Sequence, residues 1–157
     1  MSEKLTHIND HGEAHMVDVS EREETVRTAT ASGKVLLSKE VLALISNGST
    51  PKGDVLATAR IAGIMGAKKT AELIPLCHPI SISNVNVDLE VVGDGISILS
   101  TVKIADRTGV EMEALTAVSV AALTIIDMVK ALDPGATISQ VRIEEKDGGR
   151  NGHWKRS

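Results

Sequence analysis

The sequence predicts an α+β fold in which helices cover one face of an antiparallel sheet. Three observations predict it. Runs rich in Thr, Val and Ile with two-residue alternation fall at 25–37, 80–92, 96–104 and 137–145. Longer segments near 54–73 and 109–130 carry small and aliphatic residues at helical spacing instead. Their order is strand, two helices, strand, strand, helix, strand. With the two helices merged into one crossover, this is β-α-β-β-α-β, the ferredoxin-like pattern with an extra helix.

The 157 residues fit a single domain spanning 1–157, enough to bury roughly 68–70% of the unfolded chain's surface. Residues 1–15 are polar and hold His7, His11 and His15. They read as a mobile arm, with a metal or anion site as the sharper alternative. Val17 and Val19 begin the ordered chain. The first strand, TVRTATASGKVLL, carries Gly33 as a bulge or turn. Ser38 caps a short helix that Asn47-Gly48 closes. Asp54 caps a second helix, which stops before Pro75, and Gly63 and Gly66 are its close-packing positions.

In the next strand Ile80 and Ile82 share one parity, whereas Val85, Val87, Leu89 and Val91 share the other. A bulge near Ser83-Asn84 is expected. Gly93-Asp94-Gly95 signals a hairpin. The last helix ends at Asp133-Pro134-Gly135, and a final strand leads to a Gly-rich tail, 147–157, read as flexible. Apolar residues on both strand parities, with helices for only one sheet face, imply a covering subunit.

The most informative stretch is GVEMEALTAVSVAALTIIDMVK (109–130). Wound at about 100° per residue, Glu113, Thr116, Val120, Thr124 and Asp127 fall within a sector of roughly 80°, with Lys130 about 60° beyond Asp127. Leu115, Val118, Ala122, Ile125 and Val129 form the opposite, core-facing stripe. Acids and a lysine on a rigid helix suit proton transfer. The plainer alternative is a solvated polar face with an Asp127–Lys130 ion pair.

Composition narrows the partners. Hydrophobic residues make up 42% of the chain, yet Phe and Tyr are absent and Trp154 is the one Trp. That leaves no aromatic platform for nucleic-acid bases. A net charge of −4 argues against a broad cationic footprint, so a bound anion is small and held locally. Cys77 is the only cysteine, which excludes an intramolecular disulfide and a Cys-only metal site. No stretch of 18 apolar residues points to a membrane. The expected location is the cytoplasm.

Two loops add chemistry. Pro79 biases His78 to an extended backbone, where an exposed imidazole shuttles protons near neutral pH. Lys52 beside Gly53 suits close approach to a phosphate. Lys68 near a helix end and Lys146 before Gly148-Gly149 are further candidates, each with a plain alternative, the helix dipole or a solvated tail.

Taken together, MVDVS (16–20), TVRTATA (25–31), KGDVLATARIAGI (52–64), IPLCHP (74–79), TGVEMEALTA (108–117) and Asp127-Met128-Val129-Lys130 resemble the molybdenum cofactor biosynthesis protein C family of cyclic pyranopterin monophosphate synthases. The resemblance runs from about Leu5 to Gly152. It implies conversion of 3',8-cyclo-7,8-dihydroguanosine triphosphate to cyclic pyranopterin monophosphate with release of diphosphate. It also implies a ferredoxin-like homohexamer, a trimer of dimers, with sites at subunit interfaces and no metal or other cofactor.

By matching motif, the resemblance assigns Lys52, Asp127, Lys130, Glu111 and His78 to catalysis. Cys77, His78, Glu111, Met112, Glu113, Arg27, Lys68 and Lys146 are assigned to the substrate. Arg22 stands where the family commonly has Lys. Two other classes fit the same composition: a metal-dependent purine nucleotide cyclohydrolase, which chelators would silence, and a non-catalytic nucleotide-binding subunit, which would bind without turnover.

Overall fold

Residues 7–157 are described by a computed structural model; residues 1–6, part of the expected arm, lie outside them. The chain runs β1 (Thr25–Leu36), α1 (Lys39–Ser46), α2 (Val55–Ala67), α3 (Thr70–Leu73), β2 (Ile82–Val92), β3 (Gly95–Asp106), α4 (Glu111–Val129), β4 (Thr137–Asp147) and β5 (Trp154–Lys155). The sheet order is β2-β3-β1-β4-β5, and every pair is antiparallel. This is the β-α-β-β-α-β arrangement the sequence predicts, with β5 added at one edge.

The caps fall where the sequence places them. The Ser38 hydroxyl accepts from the Val41 N–H at 3.4 Å, and the Asp54 carboxylate accepts from the Ala57 N–H at 2.9 Å. The second predicted helix divides in two. Thr70, fully buried, donates its hydroxyl to the Ala67 carbonyl at 2.8 Å, and the chain re-enters a helix as the short α3.

Core-facing positions alternate along the central strands: Ala29, Ala31 and Val35 of β1 and Ile96, Ile98, Val102 and Ile104 of β3 are buried. Against them lie Ala114, Val118, Ala122, Ile125 and Val129 of α4. By length and composition α4 would suffice to cross a membrane. Here it is the core helix, wedged between sheet and α2. Gly33 permits that wedge, because a Cβ there would stand 2.5 Å from Val118 Cγ1. The expected bulge at Gly33 is not there. The register shifts opposite β1 place the extra residues on β4, where Gln140 takes a φ of +56°.

The Ser83 bulge is present, as the register slips between Ile82 and Asn84. It brings Ile82 and the Val85–Val91 series onto one face, so both parities serve one core. The outer face carries Thr30, Ser32 and Lys34 of β1 and Ser97, Leu99, Thr101 and Lys103 of β3, with Thr30 and Thr101 hydroxyls paired at 3.2 Å. Exposed apolar side chains occur on both layers: Val26, Leu99 and Val141 on the sheet, and Ile61 and Met65 on α2, 61% and 60% exposed one turn apart.

The helical sector of α4 that the sequence presents as polar is mostly covered. Glu113 and Thr116 are buried. Ideal Cβ atoms built at Gly63 and Gly66 of α2 would stand 2.9 Å from the Ala117 carbonyl oxygen and 2.7 Å from Val120 Cγ2. Without those glycines the two helices could not approach so closely. Thr116 and Thr124 donate to the carbonyls of Met112 and Val120, so neither hydroxyl needs water.

Candidate active site

At the N-terminal end of α4 the chain encloses a cleft of about 420 Å³. Its walls are the 17–22 segment, the start of β1, the Leu76–His78 loop, the first turn of α4 and the turn after β4. Arg22, Arg27, Lys146 and Arg150 bring positive charge to it, and His7 and His78 line it as well. Glu111, Glu113 and Asp147 are the acids.

Arg27 sits near the start of β1 and is anchored from behind, its Nη2 donating to the Arg107 carbonyl at 3.1 Å. Its buried Nε has no hydrogen-bond partner among the described residues. Gly149, at φ +74°, lies flat against this guanidinium, and a Cβ there would meet Nη1 at 2.8 Å. Lys146 reaches across from β4 to place Nζ 3.0 Å from Glu111 Oε1. The His78 Nε2 donates to the Val17 carbonyl at 2.7 Å. A carbonyl only accepts, so Nε2 carries the proton and Nδ1 is the atom left for exchange.

The first turn of α4 supplies Glu111, Met112 and Glu113. Val110 is the N-cap and makes no side-chain cap hydrogen bond. Glu113 is only 4% exposed. Burial pushes its carboxyl up to about 7, the Glu111 charge adds to the rise, and the backbone N–H of Glu113 itself opposes it. Near neutral pH this acid exists in both forms. Burial, and then the Glu113 charge, also raise the Cys77 thiol, which keeps it protonated and unsuited to nucleophilic attack.

A second cluster lies at the other end of the same helix. Lys130 Nζ stands 2.7 Å from Asp127 Oδ1, and Lys52 Nζ stands 3.2 Å from Asp127 Oδ2 and 2.8 Å from the Asp127 carbonyl. Lys130, then Lys52, hold the Asp127 carboxyl below its ordinary range. All three side chains are about half exposed or more.

Sixteen residues separate Glu111 from Asp127, about 24 Å along the axis. Within one chain the candidate residues therefore do not converge. His78, Cys77, Glu111, Met112, Glu113, Arg27 and Lys146 line the cleft; Lys52, Asp127 and Lys130 form the distant cluster. Lys68 caps the C-terminal end of α2, exposed and off the cleft lining. Lys52 and Lys130 also meet on one carboxylate of one chain, so any site they serve receives them together.

Sequence reasoning missed Arg150 as a lining residue and gave His7 only as part of an arm, with a metal or anion site as the alternative. The signal for Arg150 was present in the Gly148-Gly149 pair, whose positive φ values of +90° and +74° turn the chain back. After that turn β5 pairs Trp154 with Lys146 and Lys155 with Glu145, and Arg156 stacks over the Trp154 ring at 5.6 Å.

The match to known proteins covers both clusters. The MoaC family model matches residues 16–149. A protein of Streptomyces avermitilis named cyclic pyranopterin monophosphate synthase is 64% identical over 155 residues, 99% of this chain and 91% of that protein. One of the same name from a Nocardioides species is 59% identical over 156 residues, 98% and 96% of the two chains. Cyclic pyranopterin monophosphate synthase 2 of Mycobacterium tuberculosis is 57% identical over 155 residues, 99% and 93% of the two chains. The family-model match spans the distal lysine cluster and all of the cleft lining except His7, Arg150 and Asn151, and this chain belongs to the MoaC family.

Proposed function

We propose that the chain is a cyclic pyranopterin monophosphate synthase of molybdenum cofactor biosynthesis, with each active site completed across a subunit interface. The cleft of one protomer takes the cyclised guanosine triphosphate. The Lys52–Asp127–Lys130 cluster of another protomer closes over it. One observation carries this reading: a cationic cleft and an exposed lysine–carboxylate–lysine set sit at opposite ends of one rigid helix. In a two-fold pair, each end meets the other protomer's opposite end. The assembly is a homohexamer built as a trimer of such dimers, and Ile61 and Met65 of α2 offer apolar contact surface for it. Its place is the cytoplasm.

The chemistry divides between the two halves. Arg27 and Lys146 hold the triphosphate, and Arg27 Nε finds in a phosphate oxygen the acceptor it lacks. Met112, Cys77 and Glu113 contact the ring system, with aliphatic and sulfur surface serving where aromatic rings are absent. Opening and reclosing the purine-derived ring moves protons on and off nitrogens. Glu113, titrating near neutrality, and the lysines beside Asp127 supply that exchange. A ribose hydroxyl then attacks the α-phosphorus, the bond to the bridging oxygen breaks, and diphosphate leaves with the electron pair. The surrounding cations stabilise the charge that develops.

The test is incubation of the protein with the cyclised intermediate, following pterin fluorescence after oxidation together with diphosphate. Turnover is expected from the wild type, with a loss of at least ~10²-fold in Lys52→Ala or Lys130→Ala. Binding without turnover would leave a nucleotide-binding subunit. Activity lost to chelators would point to a metal-dependent cyclohydrolase.

A further inference from the structure

Of the cations that line the cleft, Arg150 is the one with no engagement among the described residues. Arg27 is anchored by the Arg107 carbonyl, Lys146 is paired with Glu111, and Arg22 lies near Asp18. Arg150 makes neither a side-chain hydrogen bond nor an ion pair among the described residues. It is exposed at the rim, whereas Arg27 and Lys146 are half-buried.

Its position is nevertheless built. Gly148 and Gly149 both take positive φ, and Cβ atoms there would strike the Val26 carbonyl oxygen at 2.3 Å and Arg27 Nη1 at 2.8 Å. The turn is therefore pressed against the base of the Arg27 side chain. On its far side, β5 ties it down through the Lys146–Trp154 and Glu145–Lys155 pairs. The Arg156 Nε donates to the Ile143 carbonyl at 2.7 Å, and the Arg156 N–H donates to the Glu144 carbonyl at 2.8 Å. A short hairpin, clasped at its end, holds one free guanidinium over the mouth of a cationic cleft.

We propose that Arg150 is the contact for the two terminal phosphates, the ones that leave as diphosphate, and that the β4–β5 hairpin is its mount. The proposal rests on the cleft being the triphosphate site. The ring system occupies the end at Cys77, Met112 and the buried Glu113. The phosphates run outward past Arg27 and Lys146, and the outermost pair arrives at the rim. A planar guanidinium with all its donors free meets two adjacent phosphate oxygens with paired hydrogen bonds. Arg150 thereby distinguishes a triphosphate from a monophosphate.

The test is titration calorimetry of the full-length protein with inorganic diphosphate and, separately, with GMP, each as a non-reacting probe. Arg150→Ala is expected to weaken diphosphate binding about 10-fold or more, with Arg150→Lys between it and wild type and GMP binding unchanged. Lys39→Ala, exposed in α1 and outside the cleft lining, is the charge control and keeps wild-type affinity. Wild-type diphosphate affinity in Arg150→Ala, beside a clear loss in Arg27→Ala, overturns the role of Arg150 and leaves the cleft as the phosphate site. Equal losses in Arg150→Ala and Lys39→Ala overturn it too, as a general charge effect. If neither Arg150→Ala nor Arg27→Ala changes diphosphate binding, the reading of the cleft itself fails.

Discussion

Lys146 Nζ lies 3.0 Å from Glu111 Oε1, joining the last long strand to the first turn of the core helix across the mouth of the cleft. Both side chains are about one-third exposed, so the pair is neither a surface bridge nor a sealed one. An arriving phosphate offers Lys146 a stronger anion than the carboxylate it already holds. Lys146→Ala is expected to weaken triphosphate binding by about one to two orders of magnitude, as is Arg27→Ala, given roughly 1.5–3 kcal/mol per charge-assisted contact. Calorimetry with GTP measures it; undiminished affinity in both variants rules out the cationic wall as the phosphate site.

Mixed oligomers test how the two clusters combine. Lys52→Ala leaves the cleft of its own chain intact, and Arg27→Ala leaves the distal lysines intact. Co-refolded in equal amounts, the two inactive variants are expected to regain roughly a quarter of wild-type activity, because random pairing rebuilds one complete site per mixed dimer. Lys52→Ala mixed with Lys130→Ala is expected to regain nothing, since both lesions fall in one cluster. Recovery in the second mixture and none in the first would break the cross-subunit arrangement.

Glu113 makes stability depend on pH. Its folded-state carboxyl is raised from 4.5 to about 7, so the folded chain holds its proton where the unfolded chain has released it. Stability from this group is fully present below the unfolded value and is lost as pH rises toward the folded one. Glu113→Gln is expected to melt higher than wild type at pH 8, by about 1–3 kcal/mol of stability, with a much smaller gap at pH 5. Thermal unfolding at the two pH values decides it; an equal gap at both removes the buried acid as the cause.

Gly33→Ala tests the wedge of α4 against the sheet. The new Cβ would stand 2.5 Å from Val118 Cγ1, and Val118 is fully buried with no room to retreat. A loss of about 1–3 kcal/mol is expected. The double variant with Val118→Ala should cost less than the sum of the two single changes, because the second removes what the first strikes. Denaturant midpoints read the result, and strict additivity would contradict it.

Strand order, caps, the Ser83 bulge and the glycine contacts of α2 were legible because each is written in local residue spacing. Motif resemblance named most residues of the two clusters, but not Arg150. What spacing hid was which partner each face would meet. Glu113 and Thr116 read as polar by residue type, yet both are buried on a helix that α2 approaches closely at Gly63 and Gly66. The Trp154–Lys155 strand is two residues long and holds its place through pairing with β4 and contacts made by Arg156, so no local period announces it. The separation of His78 from Lys52 follows from their flanking opposite ends of α2, a relation that sequence states and that convergence of motifs obscures.

The unbroken run of α4 from Glu111 to Val129 has a consequence for how this sequence can change over time. Substitutions along it alter packing locally, but one inserted or deleted residue would swing Asp127 and Lys130 by about 100° and shift them by about 1.5 Å relative to Glu111 and Glu113. Such a change spares every side chain and still misaligns both ends at once. The helix therefore acts as a gauge of fixed length and phase, open to drift in composition and closed to drift in register.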